Sequence, residues 1–150
     1  MVLQGTTGTI IRLIRYSAKD DPGLAVQSVC FLEEQGMEGD FYARGGDRQL
    51  SLLSLEDRQW IDTMTEPGLC LKRYKENILF DGIPSTAFKP GIRLEIGKAV
   101  IQISDCSKNC FTECPLYSCG QKCVLAGKYL YAKVIHSGPV KMGDIIKEEI

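Results

Sequence analysis

Ile92–Ser104 reads IRLEIGKAVIQIS, and its pattern decides the fold class. Leu94 and Ile96 alternate with Arg93 and Glu95, which is the period of a strand with one apolar face. Gly97-Lys98 follows as a two-residue connection with glycine first, the composition of a tight hairpin turn. Val100 to Ile103 then returns. A hairpin of this kind does not stand alone, so the flanking sequence is read for further strands and for what the hairpin delivers.

It delivers a cysteine-rich stretch. Ser104–Leu125 reads SDCSKNCFTECPLYSCGQKCVL and holds five of the seven cysteines: Cys106, Cys110, Cys114, Cys119 and Cys123. The other two, Cys30 and Cys70, stand in apolar surroundings and read as buried, inert residues. Three chemistries suit the cluster. Disulfides fit poorly, because seven is odd, no basic and apolar secretory signal is visible in the opening MVLQGTTG, and 150 residues at 44% hydrophobic content can build a core without staples. These features point to a reducing cytoplasmic setting, where clustered cysteines serve as metal ligands or reactive thiols. Metal ligation has the pairs Cys110/Cys114 and Cys119/Cys123 in its favour, although only four residues separate them and the single histidine, His136, is remote. A reactive thiolate needs its anion stabilised, and Lys108 and Lys122 place cations close to Cys110 and Cys123. Cys106, Cys110 and Cys114, four residues apart, would share one face of a short helix ending before Pro115.

Upstream, Thr9–Tyr16 (TIIRLIRY) and Ala25–Leu32 (AVQSVCFL) read as strands, separated by the turn signal Asp21-Pro22-Gly23. Gly36, Gly39, Gly45 and Gly46 then mark an irregular loop bearing Arg44, Asp47 and Arg48. Backbone N–H groups and guanidinium forks in such a loop suit a phosphate. Gln49–Ser54 is a short strand, and Ser54-x-x-Asp57 opens a helix in the manner of a capping box, stopped by Pro67-Gly68. Glu76 and Asn77 precede the apolar Ile78, Leu79 and Phe80. After Gly127, KYLYAKVIHSG alternates Leu130, Ala132 and Val134 with Tyr129, Tyr131 and Lys133. Gly138-Pro139 reads as a turn before a last short strand.

Many short strands, glycine turns and one good helix make a single domain, residues 1–150, that is mainly β and barrel-like. With 18 basic and 19 acidic residues, the net charge of −1 gives no field for nucleic acid or an anionic membrane, and no apolar run reaches the length of a membrane span.

Five segments, in order, resemble the MOSC domain: GMEGDFYARGGDRQLSLLSLE, KRYKENILFDGI, PGIRLEIGKAVIQIS, KNCFTEC with Cys123 beyond it, and YAKVIHSGPVKMGDII. This domain forms the C-terminus of molybdenum cofactor sulfurases and occurs in amidoxime-reducing enzymes and as stand-alone bacterial proteins, the type this chain looks like. The resemblance runs from about Gly5 to Ile146. It implies a MOSC-fold β-barrel with one or a few short helices, and a pocket for a molybdenum cofactor (molybdopterin) or another sulfur-bearing group. It also implies that Cys110, with Lys108 before it, is the cysteine that carries sulfur or ligates molybdenum. Cys114 and Cys123 match further cysteines of stand-alone relatives, as do Glu38, Gly39, Asp40, Arg48 and Gln49 in the loop, and Glu76 and Asn77 match a polar pair. Tyr42 and Phe111 stand where relatives have histidine, Gly46 and Asp47 replace an aromatic–histidine pair, and Cys106 and Cys119 are additions.

Three functions are expected on these grounds. In the first, Cys110 accepts a persulfide sulfur or ligates molybdenum, Lys108 stabilises its charge, Cys114 and Cys123 assist, and Arg44, Arg48 and Arg73, with Asp40, Gln49 and Asn77, hold the cofactor. No pyridoxal phosphate lysine motif is visible, so a cysteine desulfurase or other donor would supply sulfur, and a molybdenum-cofactor enzyme or its biosynthetic machinery would receive it. The second is a molybdenum-dependent reductase of N-hydroxylated substrates. The third is a zinc or iron–sulfur site built from Cys110, Cys114, Cys119 and Cys123.

Overall fold

The computed structural model describes residues 7–18, 22–41, 43–46, 48–62, 76–84, 87–105 and 130–149. Among the described residues, eleven strands and one helix run in chain order. They are β1 (Gly8–Arg15), β2 (Leu24–Val26), β3 (Ser28–Leu32), β4 (Gly36–Met37), β5 (Leu50–Ser54), α1 (Leu55–Asp62), β6 (Ile78–Asp81), β7 (Arg93–Ile96), β8 (Ala99–Asp105), β9 (Leu130–His136), β10 (Gly138–Lys141) and β11 (Ile145–Glu148).

Seven strands close a barrel in the order β11-β7-β8-β9-β5-β6-β1, with β1 returning to β11 through Gly8↔Ile146 and Thr9↔Ile145. Closure leaves these strands without a free edge. β2 adds to the side of β1, and β10-β3-β4 form a second, three-stranded sheet. All described pairings are antiparallel except β5 with β6, which are parallel and joined through α1.

The hairpin forms as its alternation predicts. Leu94, Ile96, Ile101 and Ile103 are buried, and Ile96 pairs with Ala99 across the Gly97-Lys98 turn. Gly97 has φ 57°, the left-handed value that the first position of such a turn requires, and Lys98 does not share it. β9 likewise buries Leu130, Ala132 and Val134. These side chains, with Ile10, Leu13, Leu50, Leu52, Ile78 and Phe80, fill the barrel, and Phe88 meets Phe80 edge-to-face at 5.3 Å. Each of the Leu, Ile, Val and Phe side chains contributes roughly 1.5–3 kcal/mol on burial.

Three expectations are corrected. Ala25–Leu32 is not one strand. It divides at Gln27 into β2, on the barrel, and β3, in the second sheet, where Gln27 O accepts the Met142 N–H. Val26 and Val29 are three residues apart, so the two-residue period breaks where the chain changes sheets. Gly138-Pro139 is not a turn but the start of β10, where Pro139 stands opposite Cys30. A proline is tolerated on an outer strand that needs no donor there. Cys30 itself is only half-buried, because its neighbours Val29 and Phe31 take the inward positions of β3. Cys70 lies outside the described residues.

The helix starts where the capping signal placed it. The Asp57 N–H donates to Ser54 Oγ at 3.1 Å, satisfying one of the free donors of the first turn. Asp57 Oδ2 is buried with no hydrogen-bond partner among the described residues. The expected stop at Pro67-Gly68 lies outside the described residues.

Candidate functional site

β8 ends at Asp105 and β9 begins at Leu130, so the cysteine segment, residues 106–129, connects these two strands. Its roots fix what lies beside it. Asp105 pairs with Tyr131, and Tyr131 pairs with Ser51 of β5. The Asn77 N–H donates to Ser51 O at 2.8 Å, and the Ile14 N–H to Asn77 O at 2.9 Å. One row of backbone hydrogen bonding therefore runs from the cysteine segment's roots through Ser51 and Asn77 to β1. A register shift between Ile103 and Asp105 puts an extra residue, Ser104, into β8 at the last step before that segment. Bulges of this kind bend a strand and re-aim the chain beyond it.

The side chains along this row form a buried polar network. Leu50 and Leu52 point into the core, so Ser51 between them points outward, and a residue directly across an antiparallel pair shares its face. The Ser51 N–H and hydroxyl both reach Asn77 Oδ1, at 3.1 and 3.3 Å. Asn77 Nδ2 donates to Ile14 O at 3.1 Å and to Asp40 Oδ1 at 3.2 Å. Asp40 Oδ1 also accepts the Tyr16 N–H at 2.8 Å, while Tyr16 O accepts the Phe41 N–H. Asp40 and Asn77 are 8% and 1% exposed, so burial of their polar atoms is tolerable only because the protein itself supplies partners. The network clamps the start of the glycine loop to β1, β5 and β6.

The far end of the loop is held by Gln49, also 1% exposed. Its Nε2 donates to Gly46 O at 2.9 Å, and its Oε1 accepts the Val134 N–H at 2.9 Å. That N–H lies where β9 carries an extra residue against β8, between the pairs Ile101↔Val134 and Val100↔His136. Between the two clamps the Gly45 N–H donates to Gln35 O at 3.3 Å, and the open point among the described residues is Gly46. Gly45 and Gly46 have φ of 78° and 77°, and no atom lies within 4 Å of where a Gly46 side chain would stand.

Two arginines flank the open turn, and both are exposed. The Arg44 guanidinium carbon lies 4.0 Å from the centre of the Phe41 ring, and its Nε donates to Phe41 O at 2.9 Å. The Arg48 guanidinium carbon lies 4.5 Å from the centre of the Tyr131 ring. Stacking engages the flat face of a guanidinium, whereas its hydrogen bonds leave from the edge. Such a group keeps its charge and can present a fork to a phosphate or carboxylate.

On the adjoining stretch, Glu76 is 5% exposed and forms a two-pronged pair with Arg58 of α1, Nε to Oε2 at 3.0 Å and Nη2 to Oε1 at 2.7 Å. Tyr16 donates its hydroxyl to Glu76 O at 3.0 Å. The helix is thereby fastened to the entrance of β6, beside Asn77.

Of the residues expected at the site, Asp40, Gln49 and Asn77 gather on one face of the barrel with Arg44 and Arg48. The first three have their described bonds inside the protein, and the two arginines face outward. Lys108, Arg73, Cys110, Cys114, Cys119 and Cys123 lie outside the described residues. Ser51, Tyr16, Tyr131, Phe41 and the Arg58–Glu76 pair complete the arrangement. Ser51 and Tyr131 had a signal in the sequence, as polar or amphipathic outward positions of alternating strands, but their pairing across β5 and β9 is tertiary. Among the described residues no group of three or more His, Cys, Asp or Glu side chains is placed to hold a metal, and no helix is long and apolar enough to cross a membrane.

No family model and no curated protein matches the chain. Solved structures do. The YuaD protein from Bacillus subtilis is similar over 93% of this chain and 94% of its own, at 19% identity and a TM-score of 0.62. YiiM from Escherichia coli is similar over 95% of this chain and 70% of its own, at 19% identity and a TM-score of 0.63. YiiM from Geobacillus stearothermophilus gives 16% identity and a TM-score of 0.65 over 95% of this chain and 75% of its own. At these identities the likeness concerns the fold. The fold of this chain is the fold that YuaD and YiiM share.

Proposed function

We propose that this chain is a MOSC-domain protein that carries sulfur or handles a molybdenum cofactor through a reactive cysteine, Cys110. The observation that carries the reading is the backbone row. It roots both ends of the cysteine segment beside Ser51, Asn77 and the clamped loop that bears Arg44 and Arg48. The roots of a thiol-bearing segment beside a loop with two arginines suit a ligand with a sulfur-reactive end and an anionic end.

In this reading the Cys110 thiolate, beside Lys108, attacks the outer sulfur of a cysteine persulfide on a separate donor protein such as a cysteine desulfurase. The new S–S bond forms as the donor's S–S bond breaks, and the donor leaves as a thiolate, so no outside oxidant is needed. Cys114 and Cys123 are the neighbouring thiols that would receive or resolve the carried sulfur. The acceptor would be a molybdenum-cofactor enzyme or a protein that assembles the cofactor.

The molybdenum cofactor has an anionic end, and the exposed guanidinium groups of Arg44 and Arg48 fit it, with Arg73 as a third cation of this reading. When bound, the cofactor would supply a metal that takes sulfur as a ligand. Asp40, Gln49 and Asn77 act through the loop, holding its backbone against β1, β5 and β9 so that the arginines start from fixed points.

The test is mass spectrometry after brief exposure to a small-molecule persulfide donor, combined with metal analysis of untagged protein. The reading expects added sulfur on Cys110 first, none on Cys110→Ser, and an unchanged fold in that variant. Zinc or iron released by any single cysteine substitution would instead establish the metal-site reading. Equal, rapid alkylation of all five clustered cysteines, with no metal and no sulfur uptake, would overturn both.

A further inference from the structure

β8 roots the cysteine segment at Asp105, and at its other end, past Ala99, lies a cavity of about 400 Å³. Roughly 20 Å of strand separates the two, so the cavity is no part of the site described above. Its walls come from both sheets. The Gly97-Lys98 turn belongs to the barrel, whereas Ser28 opens β3 and Pro139 to Lys141 form most of β10.

Backbone bonds fix these walls against one another. The Lys98 N–H donates to Pro139 O at 3.3 Å, and a side chain at Gly138 would collide with Lys98 O. The turn after β10 closes on itself. Lys141 N–H donates to Asp144 Oδ2 at 2.9 Å, and Asp144 N–H to Lys141 O at 3.1 Å. The same Asp144 oxygen lies where a Gly97 side chain would stand. Walls held in this way need little ordering when a ligand enters, and the volume falls in the lower part of the range of small-molecule sites.

The lining chemistry selects the ligand. Gly97, Pro139, Val140 and the lysine stems make it largely apolar. Lys98 and Lys141 add two ammonium groups, both exposed, with no ion-pair partner among the described residues. Ser28, directly across from Lys141, brings a hydroxyl. Asp144 is the one carboxylate, and one of its oxygens is taken up by the Lys141 N–H. We propose that this cavity is a second ligand site, for a small monocarboxylate with an apolar body. Lys98 and Lys141 hold the carboxylate, and the body lies against Pro139 and Val140. A polyphosphate would meet apolar walls and the Asp144 charge, and a metal cation would find a single carboxylate.

Phenylacetate is the probe, titrated into the isotope-labelled full chain and followed by amide shifts. Phenylacetamide is its uncharged match, and inorganic phosphate is an anion without an apolar body. Saturable shifts are expected at the Ser28, Lys98 and Lys141 amides, with both comparison compounds binding more weakly. Lys98→Gln and Lys141→Gln should each weaken phenylacetate about twofold to fivefold, the range of an exposed ion pair. Asp144→Asn keeps an oxygen for the Lys141 N–H and removes the negative charge, so it should bind more tightly. Phenylacetate should also raise the melting temperature of the parent, because it bridges two sheets that separate on unfolding. The absence of saturable shifts at those three amides overturns the site. Equal binding of phenylacetamide, or lysine variants that bind like the parent, overturns the carboxylate's role, and tighter binding of phosphate overturns that of the apolar body.

Discussion

Asn77 shows what one side chain can hold together. Its amide carbonyl takes two donors from Ser51, and its amide nitrogen gives to Ile14 O and Asp40. Asn77→Ala would take the side-chain acceptor from the Ser51 N–H and hydroxyl and one of the donors from Asp40 Oδ1, which keeps the Tyr16 N–H, in a site 1–8% exposed. Each stranded buried group costs about 1–3 kcal/mol. We expect a loss of about 3 kcal/mol in urea unfolding, and faster hydrogen exchange at the Tyr16 and Phe41 amides. Asn77→Asp keeps the shape but replaces the donor to Asp40 with a second carboxylate, so it should destabilise at neutral pH at least as strongly. The sequence placed Asn77, Asp40 and Gln49 at the site without revealing that their polar atoms turn inward. Polarity next to a glycine loop is visible in a string of residues, but which atoms become buried depends on strands that meet only in the fold.

Among the elements, the β7–β8 hairpin was the most legible, because two residues of turn and four of alternation specify it locally. Gly97→Ala tests that specification. The turn requires φ 57° there, and an added Cβ would meet the Asp144 carboxylate and Pro139 O. A loss of about 1–3 kcal/mol is expected from the dihedral strain alone, read as a lowered melting temperature. The α1–β6 junction was not legible. Arg58 lies 18 positions before Glu76, and nothing in their spacing foretells a two-pronged pair. Arg58 remains 24% exposed, so solvent weakens the pair below a fully buried one. Arg58→Ala should still cost on the order of 2 kcal/mol, because it leaves the buried Glu76 charge uncompensated. Arg58→Lys should recover only part of that, as a lysine cannot bridge both carboxylate oxygens. The division of 25–32 into β2 and β3 has a trace in the sequence, the three-residue step between Val26 and Val29, whereas its cause, the approach of Met142 to Gln27, is long-range.

For the whole molecule, β11 stands between β7 and β1, and its hold on β1 is two residue pairs. Removing the residues after Asp144 would open the barrel and uncover Ile96, Leu94 and Ile10. Such a truncation should lose cooperative unfolding and bind a hydrophobic dye such as ANS, and a far-ultraviolet spectrum that kept strand signal would show that the open sheet survives. β11 also comes after every other barrel strand along the chain, so the order of synthesis becomes an order of exposure. While the ribosome is still making the later strands, the Gly8–Ile10 part of β1, which β2 does not cover, carries an unpaired edge that is a template for strands of other nascent chains. The barrel can close only after the chain from Gly8 to Ile146 has been released, and the contact that closes it joins residues that far apart, which makes closure a slow step. In the cell, that interval rather than the finished fold is the period in which this protein would depend on chaperones.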